Sequence, residues 1–84
     1  MNDVLFSYTT SFEASEVQFK NICAEIEKNV KGVEKGALLI DVDGSAIQKY
    51  VVGSKTITIQ NDYEVDAVYI DSEIDLTDII TISQ

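Results

Sequence analysis

One segment of the chain has the hydrophobic spacing of an amphipathic helix. Its apolar residues recur every three or four positions, which places them on a single helix face. Thr10 and Glu13 have the spacing of a capping box. Ser15 and Gln18 have it too, so the pattern leaves two possible helix starts. Gly32 stands where a left-handed glycine is expected to end the helix. The predicted core-facing residues are Phe12, Phe19, Ile22, Cys23, Ile26 and Val30.

The rest of the chain alternates apolar and polar residues with the period of two that is typical of β-strands. A first strand is predicted over residues 4–8, before the helix. After the helix, tight-turn residues such as Asp43 and Gly44 separate four or five further apolar segments. The predicted segments are 37–42, 46–52, 55–60, 63–70 and 78–83. A short helical turn over residues 72–77 is an alternative that the pattern leaves open.

The order of these elements predicts an α+β fold. A strand, a helix and then a run of strands with short connections favour an antiparallel meander packed on one helix. We expect a two-layer sheet, with a partly closed barrel plugged by the helix as the alternative. Eighty-four residues suffice for a single domain, residues 1–84, with one small core and no deep enclosed substrate cavity.

The composition excludes several kinds of chemistry. The chain has no histidine, which is the commonest general base and a frequent metal ligand. A single cysteine excludes an internal disulfide and a thiolate zinc site. Cys23 lies on the apolar face of the predicted helix and has no histidine to activate it, so we interpret it as a core residue. No catalytic, cofactor-binding or metal site is predicted.

The segment 38–45 reads Leu-Leu-Ile-Asp-Val-Asp-Gly-Ser. It resembles the first motif of the haloacid-dehalogenase phosphatases, an apolar strand that ends in Asp-x-Asp-Gly-Thr. The resemblance implies Asp41 as a nucleophile and Asp43 as a general acid/base. That fold needs a parallel sheet with crossover helices, and no helix-length pattern follows Asp43. We therefore interpret the segment as a hairpin turn and predict that the protein is not an enzyme.

Acidic residues outnumber basic ones by fifteen to six, for a net charge of −9. The imbalance is greatest in residues 56–84, which hold seven acids and no cation. Nucleic acid and anionic lipid both repel such a surface, so neither is expected as a direct partner. The first residues do not resemble a signal peptide, and no apolar run is long enough to cross a bilayer. Cytoplasmic residence is expected, in a cell or in the host of a virus.

The predicted strand around residues 62–70 has a distinctive outer face. Asp62, Glu64 and Asp66 fall on one side of it at a spacing of about 6.6 Å, and Val68 and Ile70 continue that side. The other side would face the core with Tyr63, Val65, Ala67 and Tyr69. A face that is acidic at one end and apolar at the other is typical of a protein-binding surface. The predicted partner-binding residues are Asp62, Glu64, Asp66, Val68, Ile70, Asp71, Glu73 and Asp75.

Two functions fit these features. The first is a non-enzymatic inhibitor that covers the basic nucleic-acid-binding or catalytic surface of another protein, since acids compete with phosphate for Arg and Lys. In size and charge alone the chain is similar to bacterial immunity proteins and to viral proteins that block host nucleases. The second is a small structural or assembly subunit that pairs with a copy of itself through a strand edge and so forms a homodimer. A third interpretation is that the acids have no binding role and only keep the protein soluble and protect a strand edge from aggregation.

Overall fold

The computed structural model describes residues 5–80, in which one helix packs on one face of a five-stranded antiparallel sheet. The elements are β1 (Phe6–Ser11), α1 (Glu16–Asn29), β2 (Glu34–Ile40), β3 (Ala46–Val52), β4 (Lys55–Asp62) and β5 (Ala67–Ser72). The predicted α+β order of strand, helix and four-stranded meander is confirmed. The sheet does not close, so the two-layer arrangement is the one adopted.

The strand order across the sheet is β1-β5-β4-β3-β2. Strands β2 to β5 form the meander, and β5 then brings the chain back beside β1. The two strands that flank α1 in the sequence therefore lie at opposite edges of the sheet, and the helix crosses one face between them. Because β1 and β2 are edge strands, each has one side to which no described strand is bonded.

Ser15 begins the helix. Its side chain accepts a hydrogen bond from the backbone N–H of Gln18, which is the later of the two predicted starts. Phe12 consequently lies in the loop before α1 and is 77% exposed, so its predicted place in the core was wrong. The other members of the stripe face the sheet, with Cys23 partly buried. Gly32 has the predicted positive φ of 74°, but it does not end the helix, because the C-cap is Val30 in an extended conformation.

The core lies between α1 and the facing side of the sheet. Buried side chains from four strands contribute to it, namely Tyr8, Ala46, Tyr50, Ile57, Ile59, Val68 and Ile70. Leu76 and Ile80 cover the core after β5, where the carbonyl of Leu76 accepts hydrogen bonds from the amides of Ile79 and Ile80. Residues 78–80 are thus not a strand, contrary to prediction, and 81–83 lie outside the described residues. The first strand starts at Phe6, while Val4 also lies outside them.

Tyr50 joins the sheet to the helix. Its ring is fully buried, and its hydroxyl donates a hydrogen bond to the Glu27 carboxylate on α1. The Glu27 carboxylate also lies 3.4 Å from the Lys35 ammonium. The Tyr50 hydroxyl, followed by Lys35, lowers the pKa of Glu27, whereas burial raises the pKa of Tyr50. At neutral pH the Glu27 carboxylate is therefore charged when it accepts the partly buried hydrogen bond from Tyr50.

Replacing Tyr50 with phenylalanine is expected to lower the free energy of unfolding by about 1–2 kcal/mol at pH 7, because a hydrogen bond to a charged group is lost. The folded-state pKa of Glu27 is lowered, so its contribution is complete above the ordinary value of 4.5 and disappears as the pH falls through the folded value. Urea unfolding of both proteins over a range of pH should show the difference shrinking in acid. A difference that is constant with pH would contradict this account.

Candidate protein-binding surface

Three loops meet at one end of the sheet. Because the strands are antiparallel, the loop before α1 (residues 12–15), the turn between β2 and β3 (41–45) and the turn between β4 and β5 (62–66) all lie at that end. We call these residues together the loop end. The turn between β3 and β4 and the residues after α1 lie at the opposite end of the sheet.

Hydrogen bonds hold the three loops together. The Asp66 side chain accepts a bond from the backbone N–H of Ala14 at 2.8 Å, and the Ser45 hydroxyl accepts one from the N–H of Tyr63 at 3.0 Å. Gly44 has a φ of 91° in the tight turn, and a β carbon placed there would lie 3.4 Å from the Tyr63 ring. The loop end is therefore one packed surface rather than three independent loops.

The loop end has six carboxylates and no lysine. They are Glu13, Asp41, Asp43, Asp62, Glu64 and Asp66. Asp43 accepts a hydrogen bond from the N–H of Ser45 at 2.9 Å, which lowers the pKa of its carboxyl. Lys20 lies one turn into α1, where it is paired with Glu16 at 3.3 Å. The uncompensated acids thus give this end of the protein a strongly negative potential.

Large apolar side chains are exposed among these acids. They are Phe12, Tyr63 and Val65, the fully exposed Val42, and Ile40 at the end of β2. A single exposed apolar residue is normal in a soluble protein, but a group of them surrounded by charged residues marks an interaction site. Aromatic residues that project from such a surface commonly carry much of the binding energy in protein interfaces.

A shallow groove of about 340 Å³ lies beside the end of β2. Its walls include Leu39, Ile40 and Ile47 together with four of the loop-end acids. An apolar side chain fits the apolar wall, and a neighbouring cation would meet the carboxylates. This combination suits a protein partner that presents apolar and basic residues side by side.

The acids of the predicted outer strand face are present at the loop end, but they do not lie along a strand. Asp62 ends β4, and its side chain accepts hydrogen bonds from the amides of Glu64 and Val65. Asp66 has a φ of 63°, the left-handed conformation that completes the turn. The strand predicted over 63–70 therefore begins only at Ala67, and the predicted acidic strand face was wrong.

Val68 and Ile70 are fully buried against the helix, so the prediction that they point outward was wrong. The predicted strand includes the turn residues 63–66, and its alternation assigns the core-facing and solvent-facing positions of β5 the wrong way round. Tyr69, which was expected in the core, lies on the outer face, where its hydroxyl donates to the side chain of Gln60 at 3.1 Å. Neither Val68 nor Ile70 can contact a partner of the folded protein.

Asp71, Glu73 and Asp75 lie at the far end of β5 and in the segment that follows it, away from the loop end. Their carboxylates accept hydrogen bonds within the protein. Glu73 accepts from the backbone N–H of Thr56 at 2.8 Å, and Asp75 accepts from the hydroxyl of Thr77 and from its backbone N–H at 2.9 Å. These bonds lower the pKa of both carboxyls. The eight predicted residues therefore do not form one surface.

The segment 38–45 is the end of β2 and the turn that follows, as the hairpin interpretation predicts. The amide of Asp41 donates to the carbonyl of Ser45, and that of Gly44 donates to the carbonyl of Asp41. Within residues 5–80, no three acidic or cysteine side chains are grouped as metal ligands would be. In the same residues, no helix has the length and apolar character needed to cross a membrane.

No protein-family model, curated protein or solved structure matches this chain. The chemistry of the loop end is therefore the feature that bears on function.

Proposed function

We propose that this protein is a non-enzymatic inhibitor whose loop end covers a basic surface of another protein. The observation that carries the proposal is the joint presence, on three hydrogen-bonded loops, of six carboxylates, no lysine and several exposed apolar side chains. The partner is a basic protein, such as a nuclease or another nucleic-acid-binding protein, whose arginines and lysines otherwise hold phosphate.

Charge supplies the speed and selectivity of such an encounter. Complementary potentials raise association rates to as much as about 10⁸–10⁹ M⁻¹s⁻¹ at low salt. Since the loop-end carboxylates replace phosphate groups at the basic surface, binding would directly exclude the nucleic acid. An active site in the inhibitor is not needed for this mechanism.

Apolar contacts and the rigidity of the loops should make the complex long-lived. Phe12, Tyr63 and Val65 offer side chains that a partner pocket can bury, with slower dissociation as the result. The bonds from Asp66 to Ala14 and from Ser45 to Tyr63 hold the loops in place before binding. A surface that is already ordered loses less conformational entropy on association.

The acids that test this proposal are Glu13 and Glu64, both exposed, since only their backbone groups and not their carboxylates take part in the loop hydrogen bonds. We expect the double variant Glu13→Gln and Glu64→Gln to fold normally and to associate about three- to tenfold more slowly with its partner at low salt. The dependence of association on salt should also become shallower. The matched control is Glu34→Gln with Asp78→Asn, which removes the same charge from exposed sites outside the loop end.

The measurement begins with capture from lysate on the parent, the loop-end variant and the control. A protein that depends on Glu13 and Glu64 is then purified, and its association kinetics are measured at two ionic strengths. Its nucleic-acid binding should fall when the parent protein is added. Equal association rates for the loop-end variant and the control, or a partner with no basic surface, would contradict the proposal.

A further inference from the structure

The edge strand β2 exposes an apolar surface that most soluble proteins would cover. Every residue of β2 is exposed, and an uninterrupted apolar run, residues 37–40, lies on it. Charged residues and bulges commonly protect such edges. Here Glu34, Lys35 and a bulge between Lys35 and Leu38 protect only the first half of β2. The second half has no charged residue until Asp41.

The pairing of β2 with β3 shows which backbone groups are free. The amide of Asp41 donates to the carbonyl of Ser45 at 2.8 Å, so this pair is bonded toward β3. Bonded and non-bonded pairs alternate along an antiparallel ladder, which makes Leu39 bonded to β3. Leu38 and Ile40 therefore direct their N–H and C=O groups away from β3, toward the free edge.

We propose that β2 pairs antiparallel with β2 of a second copy of this chain, with Leu39 opposite Leu39. In this register the free groups of Leu38 in one copy meet those of Ile40 in the other, and the two sheets join into one sheet of ten strands. The exposed Leu38, Leu39 and Ile40 of both copies become cross-strand neighbours. This pairing goes beyond the proposed function, because it concerns the β2 edge, of which Leu39 and Ile40 also line the groove beside the loop end.

The distribution of charge selects a second copy in this orientation. The loop end has six acids and no lysine, whereas the opposite end, where β2 begins, has Lys28, Lys31 and Lys35 beside Glu27 and Glu34. Antiparallel pairing places the loop end of each copy beside this mixed-charge end of the other. Parallel pairing would instead bring two loop ends together, with like charges adjacent.

The helix side of the edge also favours this contact. A groove beside β2 is lined by the apolar Phe19, Cys23, Ala24 and Leu38 and by the charged Lys20, Glu27 and Lys35. Opposite Leu38, the Ile40 side chain of the second copy lies on the same face of the joined sheet and extends toward this groove. The resulting dimer holds its two loop ends at opposite extremes of the strand direction. Phe12, Tyr63 and Val65 are not on β2, so each loop end keeps these side chains for a partner.

The test compares Leu39→Lys with Val17→Lys by sedimentation velocity over a hundredfold range of protein concentration. Val17 is the matched control, an exposed apolar residue on α1 that is 70% exposed. The parent and the control should form a dimer as the concentration rises. Leu39→Lys places like charges directly opposite each other and should raise the dimer dissociation constant at least about tenfold.

A charge-reversal pair tests the register. Mixing Leu39→Lys with Leu39→Glu should restore a dimer, because the two charges then meet across the symmetry axis. A parent protein that stays monomeric, a dimer unaffected by Leu39→Lys, or a mixture that does not associate would each overturn the proposal.

A cross-link gives a second measurement that does not depend on charge. Leu39 would form a non-bonded pair with its copy, with Cα atoms about 4.5 Å apart, which suits a disulfide. Leu39→Cys should therefore cross-link on oxidation while Val17→Cys does not, and equal cross-linking would count against the register. Leu38→Lys, which lies on the paired edge but does not line the groove beside the loop end, should also raise the dimer dissociation constant. Partner binding by this variant separates a failure of the pairing from a failure of the proposed function.

Discussion

Replacing Ile26 with alanine is expected to lower the free energy of unfolding by about 2–5 kcal/mol. Ile26 lies near the end of α1 with no exposed surface, and its side chain fills the space between the helix and the sheet. Alanine would leave a cavity there in addition to the lost apolar burial. A domain of this length has a total stability of roughly 4–13 kcal/mol, so the loss should be visible as a large shift of the urea midpoint.

The control for Ile26 is Phe12→Ala. Both residues belong to the apolar stripe that the spacing predicts, but Phe12 lies in the loop before the helix and is largely exposed. We expect its replacement to change the free energy of unfolding by less than about 0.5 kcal/mol, as for most surface substitutions. Similar losses for the two variants would mean that Phe12 packs in the core and that the helix begins earlier.

The helix shows how far local pattern can predict this fold. Its hydrophobic period holds from Phe19 to Val30, and the sheet buries the face that the period selects. The start of the helix could not be chosen from the sequence, because Thr10 with Glu13 and Ser15 with Gln18 have the same capping-box spacing. The structure adds a tertiary contact, a bond of 2.9 Å from the backbone N–H of Ser15 to the side chain of Asn61. A partner 46 residues away leaves no local signal.

The register of β5 was unpredictable for a related reason. The turn before it, residues 63–66, contains neither glycine nor proline and alternates polar with apolar residues as a strand would. Asp66 takes the left-handed conformation that glycine usually supplies, and the Asp62 side chain bonds two amides of the turn. Asp residues can do both, but acids that alternate with apolar residues are also the pattern of a half-buried strand. The error reversed the faces of the whole strand.

The exposure of β2 also follows from strand order and not from its own residues. An apolar run of residues 37–40 is ordinarily typical of a strand that is buried on both faces. Here α1 leads directly from one edge of the sheet to the other, so this run becomes an edge strand. Consecutive connections alone do not reveal which strand will be outermost. The surface best suited to self-pairing was therefore visible only in the structure.

The candidate site was predicted in part. The acid-rich character of residues 56–84 draws attention to Asp62, Glu64 and Asp66, which the structure places at the loop end. Glu13 and the apolar Val42 were missed because they come from other loops. A signal for them existed: in an antiparallel meander, alternate connections lie at the same end, and each loop at that end pairs an acid with an apolar residue. Assembling the loops by end would have grouped them.

Serine substitutions at Val65 and Val68 test which residues of β5 and its preceding turn face the core. Val68→Ser is expected to lower the free energy of unfolding by about 3–4 kcal/mol, because it removes fully buried methyl groups and places a hydroxyl in the core. The same substitution at Val65, which is 65% exposed in the turn, should change it by less than about 0.5 kcal/mol. Urea unfolding of the two variants and the parent under one set of conditions gives both values.

Partner binding should respond to the two variants in the opposite way to stability, with the larger direct effect at Val65. If the loop end is the interface, Val65→Ser should speed dissociation of the partner while the protein stays folded, because an apolar contact at the interface is lost. Val68→Ser should weaken binding only in proportion to the fraction of molecules that unfold, since Val68 faces the helix. A Val68→Ser protein that is as stable as the parent but releases its partner faster would show that Val68 faces outward. The strand-face prediction would then be right and the described register wrong.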